Sequence, residues 1–524
     1  LLLDQPVLAG TGERVWSHNL KAGEELLARG RYDEAGRHFE AALKELEQFG
    51  AQDPHLARAL SGLGIVYASL GRYEEAEPLF RRAIAILQKF LGPEHHYVGI
   101  GLYNLAKLYH SQGRYPEADQ AHRRALVIRE KALGPEHPEV AASLTDLGEL
   151  YRKQRRYAEA ARTLERAVAI SEKASKGQGL GLAASLHYLA ELYRTQGRYA
   201  EAEPLYRRAA AIQEKLGGPL YDNLGTTLHD LGNLCYEQGR YVEAELLYGR
   251  ALEIWEKTVG PPSLFVASGL KSLAVLYSDQ GQHHKAETML RRVVAIEESG
   301  LGPAHPHLAI RLNNLAEVYQ RQAPSARPGT IVRWVLTILE WSLGPLGRDV
   351  RNAVYRRYAL RMYAAAERLL QQALEIDEKA FGLDHPAVAW KLNNLGRVYL
   401  AQGRYAEADR AHWRALGIRE RAYGKKHPDV AQSLNNLGIL YHAQKRYAEA
   451  EEYYRRALAL REELLLPDHW DLGWTVTNYA ALLRETGRNR EASELERRME
   501  ANKNTRERRA NPPLTPRSRE LFGL

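Results

Sequence analysis

Six of the 19 histidines, His95, His137, His305, His385, His427 and His469, recur in one register, and imidazoles at a fixed interval are the first residues here to suggest chemistry. That chemistry would be metal ligation, which needs ligands converging on one ion at about 2.0–2.1 Å. Each of the six stands beside a breaker in a separate segment, so equivalent positions form a row and the expected role is in turn packing. His283-His284 is a closer pair but lacks a cysteine or acidic cluster with ligand spacing. Cys235, the one cysteine, falls in the apolar stripe 231–236 and reads as a small core residue rather than a nucleophile. An internal disulfide or a cysteine-rich zinc site is excluded. There is no Gly-x-x-x-x-Gly-Lys-Ser/Thr loop, no Gly-x-Ser-x-Gly elbow and no His-Glu-x-x-His helix. No catalytic residue, metal or cofactor is expected, and an enzyme is not the reading.

A repeat sets the elements that must position any functional residue. Gly-Arg-Tyr, or a close variant, places its tyrosine at Tyr32, Tyr73, Tyr115, Tyr157, Tyr199 and Tyr241, then at Tyr405 and Tyr447; steps within a run are 42 residues, except the first at 41. His283 and Asn489 hold the register without the phenol, and Tyr363 holds it after a slip of 38 residues. A period of this size marks units that bury their apolar faces only by stacking on one another. Within 430–466, Val430, Leu434, Leu437, Leu440 and Tyr441 form one helical stripe, Lys445-Arg446-Tyr447 breaks it, and Ala450, Tyr453, Tyr454, Ala457, Leu458 and Leu460 form a second. Each unit is therefore two helices and a turn. Gly438, Ala450 and Ala457 are small where two helix backbones must approach. Breakers such as Leu133-Gly134-Pro135-Glu136-His137-Pro138, repeated at 301–306 and in altered form at 381–386 and 423–428, close one unit and open the next.

The pattern Leu-Asn-Asn-Leu-Gly/Ala-x-x-Tyr, then Gly-Arg-Tyr-x-Glu-Ala-Glu, then Tyr-Arg-Arg-Ala-Leu resembles the tetratricopeptide repeat, in the long 42-residue form of kinesin light chains and bacterial multi-repeat proteins. It extends over roughly 17–500, about eleven units. The resemblance implies an all-α fold, an α-solenoid coiled as a right-handed superhelix of helical hairpins, with protein or peptide ligands held on a concave face lined by the first helix of each pair. It further implies that the asparagines of Leu-Asn-Asn-Leu contact a bound peptide backbone, which suits an amide that donates and accepts at once. The peptide-contacting residues expected are Asn393, Asn394, Asn435 and Asn436, with Asn313 and Asn314 adjoining, and Asn478 and Asn104 in the same register. Asp146, Tyr188 and Asp230, in units four to six, depart from the pattern and put a continuous groove in question.

Residues 1–16 are expected to be an N-terminal extension and 501–524 a basic, disordered tail, while 323–360 is an insertion within the eighth repeat, whose second helix is expected to resume at Met362. The net charge of +8 is unevenly placed. Residues 497–524 carry +5 and residues 323–360 carry +4, so the repeats themselves are near neutral. That disfavours nucleic acid as the partner. Inside the insertion, 331–343 is markedly apolar, with Trp334, Leu336, Ile338, Leu339 and Trp341; Gly344-Pro345 then stops it before a basic stretch, 348–361. It is too short to span a bilayer. One reading is a helix that docks on the solenoid, on a partner or on a membrane surface; the other is an accidental insertion tolerated at a turn. No transmembrane segment is expected. The reading is a cytoplasmic protein-interaction scaffold or adaptor, with an exported one open if Leu1-Leu2-Leu3 and Val7-Leu8-Ala9 are the remnant of a signal peptide. A kinesin-light-chain-like cargo adaptor, a regulatory module of a signalling system and a nucleic-acid-binding array are the alternatives.

Overall fold

The computed structural model describes residues 13–29, 31–48, 54–217, 221–260, 263–323, 330–343, 345–465 and 470–510. Among them are 23 α-helices and no strand. None of these helices is long and apolar enough to cross a membrane. The chain divides into two compact units, Leu1–Gly260 and Pro261–Leu524.

The first unit is a stack of hairpins: α1 (Glu13–Ala28) with α2 (Tyr32–Gln48), α3 (Pro54–Ser69) with α4 (Tyr73–Leu91), α5 (His96–Ser111) with α6 (Tyr115–Leu133), α7 (Pro138–Lys153) with α8 (Tyr157–Ser175), α9 (Leu180–Thr195) with α10 (Tyr199–Leu216), and α11 (Tyr221–Glu237) with α12 (Tyr241–Thr258). Each second helix also packs on the first helix of the following hairpin, so one apolar core runs through the stack. A ring or branched chain from the second helix fills the space over a glycine of the first. A Cβ at Gly64 would come within 2.9 Å of the Phe80 ring, and one at Gly148 within 2.5 Å of Leu164. Within a hairpin the helices are held this close because the first presents bare backbone to the second.

The second unit repeats the plan with α13 (Leu264–Asp279) and α14 (His283–Leu301), α15 (Pro306–Gln322), α16 (Thr330–Leu343), α17 (Pro345–Phe381), α18 (Pro386–Ala401) with α19 (Tyr405–Tyr423), α20 (Pro428–Ala443) with α21 (Tyr447–Leu464), and α22 (Trp470–Glu485) with α23 (Asn489–Ala510). Gly438 meets Tyr454 as Gly64 meets Phe80, and Ala450 and Ala457 are fully buried.

Two boundaries differ from expectation. The partner helix of α15 does not resume at Met362; it is the C-terminal half of α17, a continuous helix of 37 residues whose N-terminal half packs on α16. After Gly347 no glycine or proline occurs until Gly382, and extending a nucleated helix costs far less than starting a new one. At the C-terminus, α23 continues to Ala510, so the first ten residues assigned to a disordered tail are helical. Residues 511–524, residues 1–12, the insertion's start at 324–329, and His469 lie outside the described residues.

The register of histidines has a specific use. His95, His137, His305, His385 and His427 each cap a first helix, the side chain accepting a hydrogen bond from the backbone N–H two residues on; for His137 the Nδ1 to Glu139 N distance is 3.2 Å. The cap satisfies one of the amide donors that every helix start leaves open. The turn arginine is a second device. Arg114, Arg156, Arg404 and Arg446 lie 4.2–4.4 Å over Tyr109, Tyr151, Tyr399 and Tyr441, and Arg114 also reaches back to Glu77 of the preceding hairpin at 2.7 Å.

Candidate partner-binding face

A buried polar pair fixes the start of several first helices, its members fourteen residues apart. Arg129 donates to Ser143 Oγ at 2.7 Å, Arg311 to Glu297 at 3.0 Å and Arg419 to Ser433 Oγ at 2.9 Å, and Arg461 donates to Thr475. At the same register the Lys391 ammonium stands 2.6 Å from Asp377 Oδ2, off the hydrogen-bonding direction, with both side chains almost wholly buried. Burial pushes the Arg129, Arg419 and Arg461 guanidiniums below their usual range. These pairs hold the register of each first helix against the preceding hairpin, and with it every residue further along that helix.

The asparagine ladder expected to meet a peptide is largely inside the protein. Asn313, Asn393, Asn394, Asn435 and Asn436 are buried. Asn393 spends both ends of its amide internally: Oδ1 lies 3.0 Å from His412 Nδ1, and Nδ2 donates to Ser433 Oγ at 2.9 Å. Asn394 donates to Asn313 Oδ1 at 2.8 Å, and Asn478 reaches Asn435 Oδ1 at 3.4 Å. Asn393 and Asn394 thus find partners on neighbouring repeats, whereas Asn436 Oδ1 accepts from Gln432 of its own helix at 3.4 Å and the buried Asn435 Nδ2 has no hydrogen-bond partner among the described residues. These five side chains are therefore enclosed by the repeats. Asn104, Asn314 and Asn478 remain partly exposed.

What does face solvent beside this ladder is aromatic. Residues four apart on a helix share a face. Four before Asn394 stands Trp390, 53% exposed, and four before Asn478 stands Trp474, 55% exposed; Ile310 holds the same position before Asn314 and is also exposed. Gln432 occupies it before Asn436, held by the Arg461 guanidinium at 2.9 Å. Tryptophan is costly to leave in water without a use, since its indole carries a large apolar area. Motif matching passed over Trp390 and Trp474 because they lie outside Leu-Asn-Asn-Leu. The signal was present nonetheless, as Ala142, Ala184, Thr226 and Ser268 fill that position elsewhere.

In the first unit the corresponding face is built of ionisable groups. Tyr103, Asp146, His187, Tyr188, His229 and Asp230 occupy the two asparagine registers. Burial and the nearby Asp146 carboxylate push the Tyr188 phenol up to about 12. Burial alone would raise the Asp230 carboxyl, but the His229 hydrogen bond and the His187 charge outweigh it and hold it below the usual range. A chain of ion pairs runs alongside: Arg152 to Glu149 at 2.6 Å and to Glu191 at 3.6 Å, Arg194 to Glu191 at 2.8 Å, and Arg194 to Glu237. Tyr206 donates to Glu191 at 2.6 Å. Charge meets charge across the repeats, and no large apolar side chain stands above them.

Cys235 is buried in α11, and burial pushes its thiol up to about 11. A thiol so placed is a packing residue, since the thiolate is the nucleophile.

Paired helices, glycine-seated rings and turn arginines that reach back one hairpin together define an all-α repeat solenoid. The chain belongs to the tetratricopeptide repeat family, whose pattern matches residues 16–89, 65–131, 97–173, 181–257, 264–324, 353–420, 392–463 and 429–503. The matches leave out 325–352, so all of α16 and the start of α17 fall outside the family pattern. Similar solved structures include a candidate kinesin light chain of Podosopora anserina with nearly identical repeats, 29% identical over 38% of this chain and 93% of that one, with a TM-score of 0.34. BtubC of P. vanneervenii is 21% identical over 48% of this chain and 94% of that one, with a TM-score of 0.36. A signal transduction ATPase with a tetratricopeptide repeat sensor, PH0952 of Pyrococcus horikoshii, is 13% identical over 75% of this chain and 53% of that one, with a TM-score of 0.50. No curated protein matches this sequence.

Proposed function

We propose that this protein is an interaction scaffold whose working surface is the first-helix face of the second unit, where α15, α18, α20 and α22 receive an extended peptide or a partner helix. The observation that carries the reading is the pair Trp390 and Trp474, each more than half exposed at one register two repeats apart. Rigid indoles are the side chains most often found as anchors of binding energy. The buried amides hold the helices that present them, and the partly exposed Asn314 and Asn478 supply polar contacts beside the anchors. Near-neutral repeats leave nucleic acid little to bind. A cargo-adaptor or signalling-module role would use this same surface.

The test is selection of displayed peptides on the intact chain, followed by titration calorimetry of the best binder. Changing Trp390 and Trp474 to alanine is expected to weaken that binder by about a hundredfold or more, the scale of losing central anchors. Affinity retained by the double variant would reject this face as the working surface.

A further inference from the structure

The hairpin formed by α16 and the start of α17 lies outside the family pattern and presents an apolar end to solvent. Leu336 faces inward and is buried, while Val335, Ile338, Trp341, Leu343, Leu346 and Val350 are exposed. Trp341 is 89% exposed and Leu346 63%. The turn is tight. A Cβ at Gly347 would lie 2.1 Å from the Leu339 carbonyl oxygen, so only glycine lets α17 begin against α16 and bring Leu343 and Leu346 to one tip. Behind the tip, residues 335–361 carry five arginines against Glu340 and Asp349. Glu340 is already taken by Arg351 and by Arg348 at 3.6 Å. Arg356, Arg357 and Arg361 make no ion pair among the described residues.

We propose that this hairpin is a docking site for an anionic membrane surface: the Trp341, Leu343 and Leu346 tip enters the headgroup boundary while the arginines behind it meet lipid phosphates and carboxylates. The two halves of the patch select this occupant. An exposed apolar tip carrying tryptophan is suited to the interface between headgroups and acyl chains. Arginines without an ion-pair partner behind it are attracted to an anionic leaflet. A second copy of the chain would bring the same arginines face to face, and a neutral apolar groove would leave them without partners. Tip and charge together supply the two signals that stable attachment of a surface-lying element requires.

The experiment is flotation of the full chain with phosphatidylcholine vesicles, with and without phosphatidylserine. The chain should float with the anionic vesicles alone, and less as salt is raised. Trp341→Ser combined with Leu346→Ser, and separately Arg356→Glu combined with Arg357→Glu, should each cut the bound fraction at least about tenfold. All four side chains are exposed, so melting should not change, and Trp390→Ala with Trp474→Ala should float like the intact chain. No flotation, equal flotation with neutral vesicles, or retention by both hairpin variants would overturn the proposal. Absence of flotation together with a dimer that Trp341→Ser dissolves would assign the tip to self-association instead.

Discussion

The two units place different chemistry at one backbone register. On α7, α9 and α11 the register holds Asp146, His187, Tyr188, His229 and Asp230, flanked by a chain of ion pairs, and the position four residues earlier is Ala142, Ala184 or Thr226. On α18, α20 and α22 it holds amides that bond one another, and the earlier position is Trp390, Gln432 or Trp474. The first unit closes its face with charge, whereas the second buries amides, two of them bonded across repeats, and leaves indoles outside. A residue's polarity is therefore a poor guide to its accessibility in a repeat protein. The neighbouring repeat decides.

The comparison breaks most severely at the buried ion pair beneath Trp390. Lys391→Met would leave the Asp377 carboxylate buried and unpaired, with an expected cost of about 3–5 kcal/mol in urea denaturation of the full chain. The registers equivalent to Lys391 in the first unit, Ser143, Ser185 and Thr227, carry hydroxyls, so Ser185→Ala should cost only about 1 kcal/mol. Next comes Asn393→Ala, which strips partners from both His412 and Ser433 in a buried network; the expected loss is about 2–3 kcal/mol. A loss under about 0.5 kcal/mol would mean that the amide is not buried as described.

Histidines sharpen the comparison, because one stands at the same register in each unit. Burial pushes His122 down to about 4 and His412 down to about 3, against 6.5 in the open chain. The unfolded chain therefore binds more protons, and each histidine contributes stability that is complete above about pH 6.5 and is lost as pH falls toward 4 and 3. By pH 4 the expected loss is about 3 kcal/mol per histidine. A melting series from pH 7 to 4, with His122→Phe and His412→Phe singly and together, checks the sign: each change should flatten the dependence. The smallest effect should come from the exposed turn pairs, where Glu117→Gln removes a partner of Arg114 and should leave the melting curve essentially unchanged.

The hairpins were legible in the sequence because a 42-residue period and two apolar stripes leave few alternatives. Cys235 was legible too, since it sits inside a stripe. The fate of the asparagines was not: Leu-Asn-Asn-Leu reads alike whether the amides face solvent or one another, and the difference lies in how closely α15, α18 and α20 approach. The continuity of α17 was half legible. Gly344-Pro345 marked a break correctly, but the absence of any breaker from 348 to 381 pointed to one helix rather than a restart at Met362. Trp390 and Trp474 needed an alignment of the repeats with each other, in which an indole stands where Ala142, Ala184, Thr226 and Ser268 are small.

The measurement that bears most directly on the contrast between presented indoles and internal amides compares two double variants, Trp390→Ala with Trp474→Ala and Asn393→Ala with Asn436→Ala, for both melting and affinity toward one selected peptide. The tryptophan variant should melt like the intact chain and lose the peptide, while the asparagine variant should melt several degrees lower. An asparagine variant with unchanged melting and no affinity, beside a tryptophan variant that still binds, would put the amides on the surface and contradict the assignment.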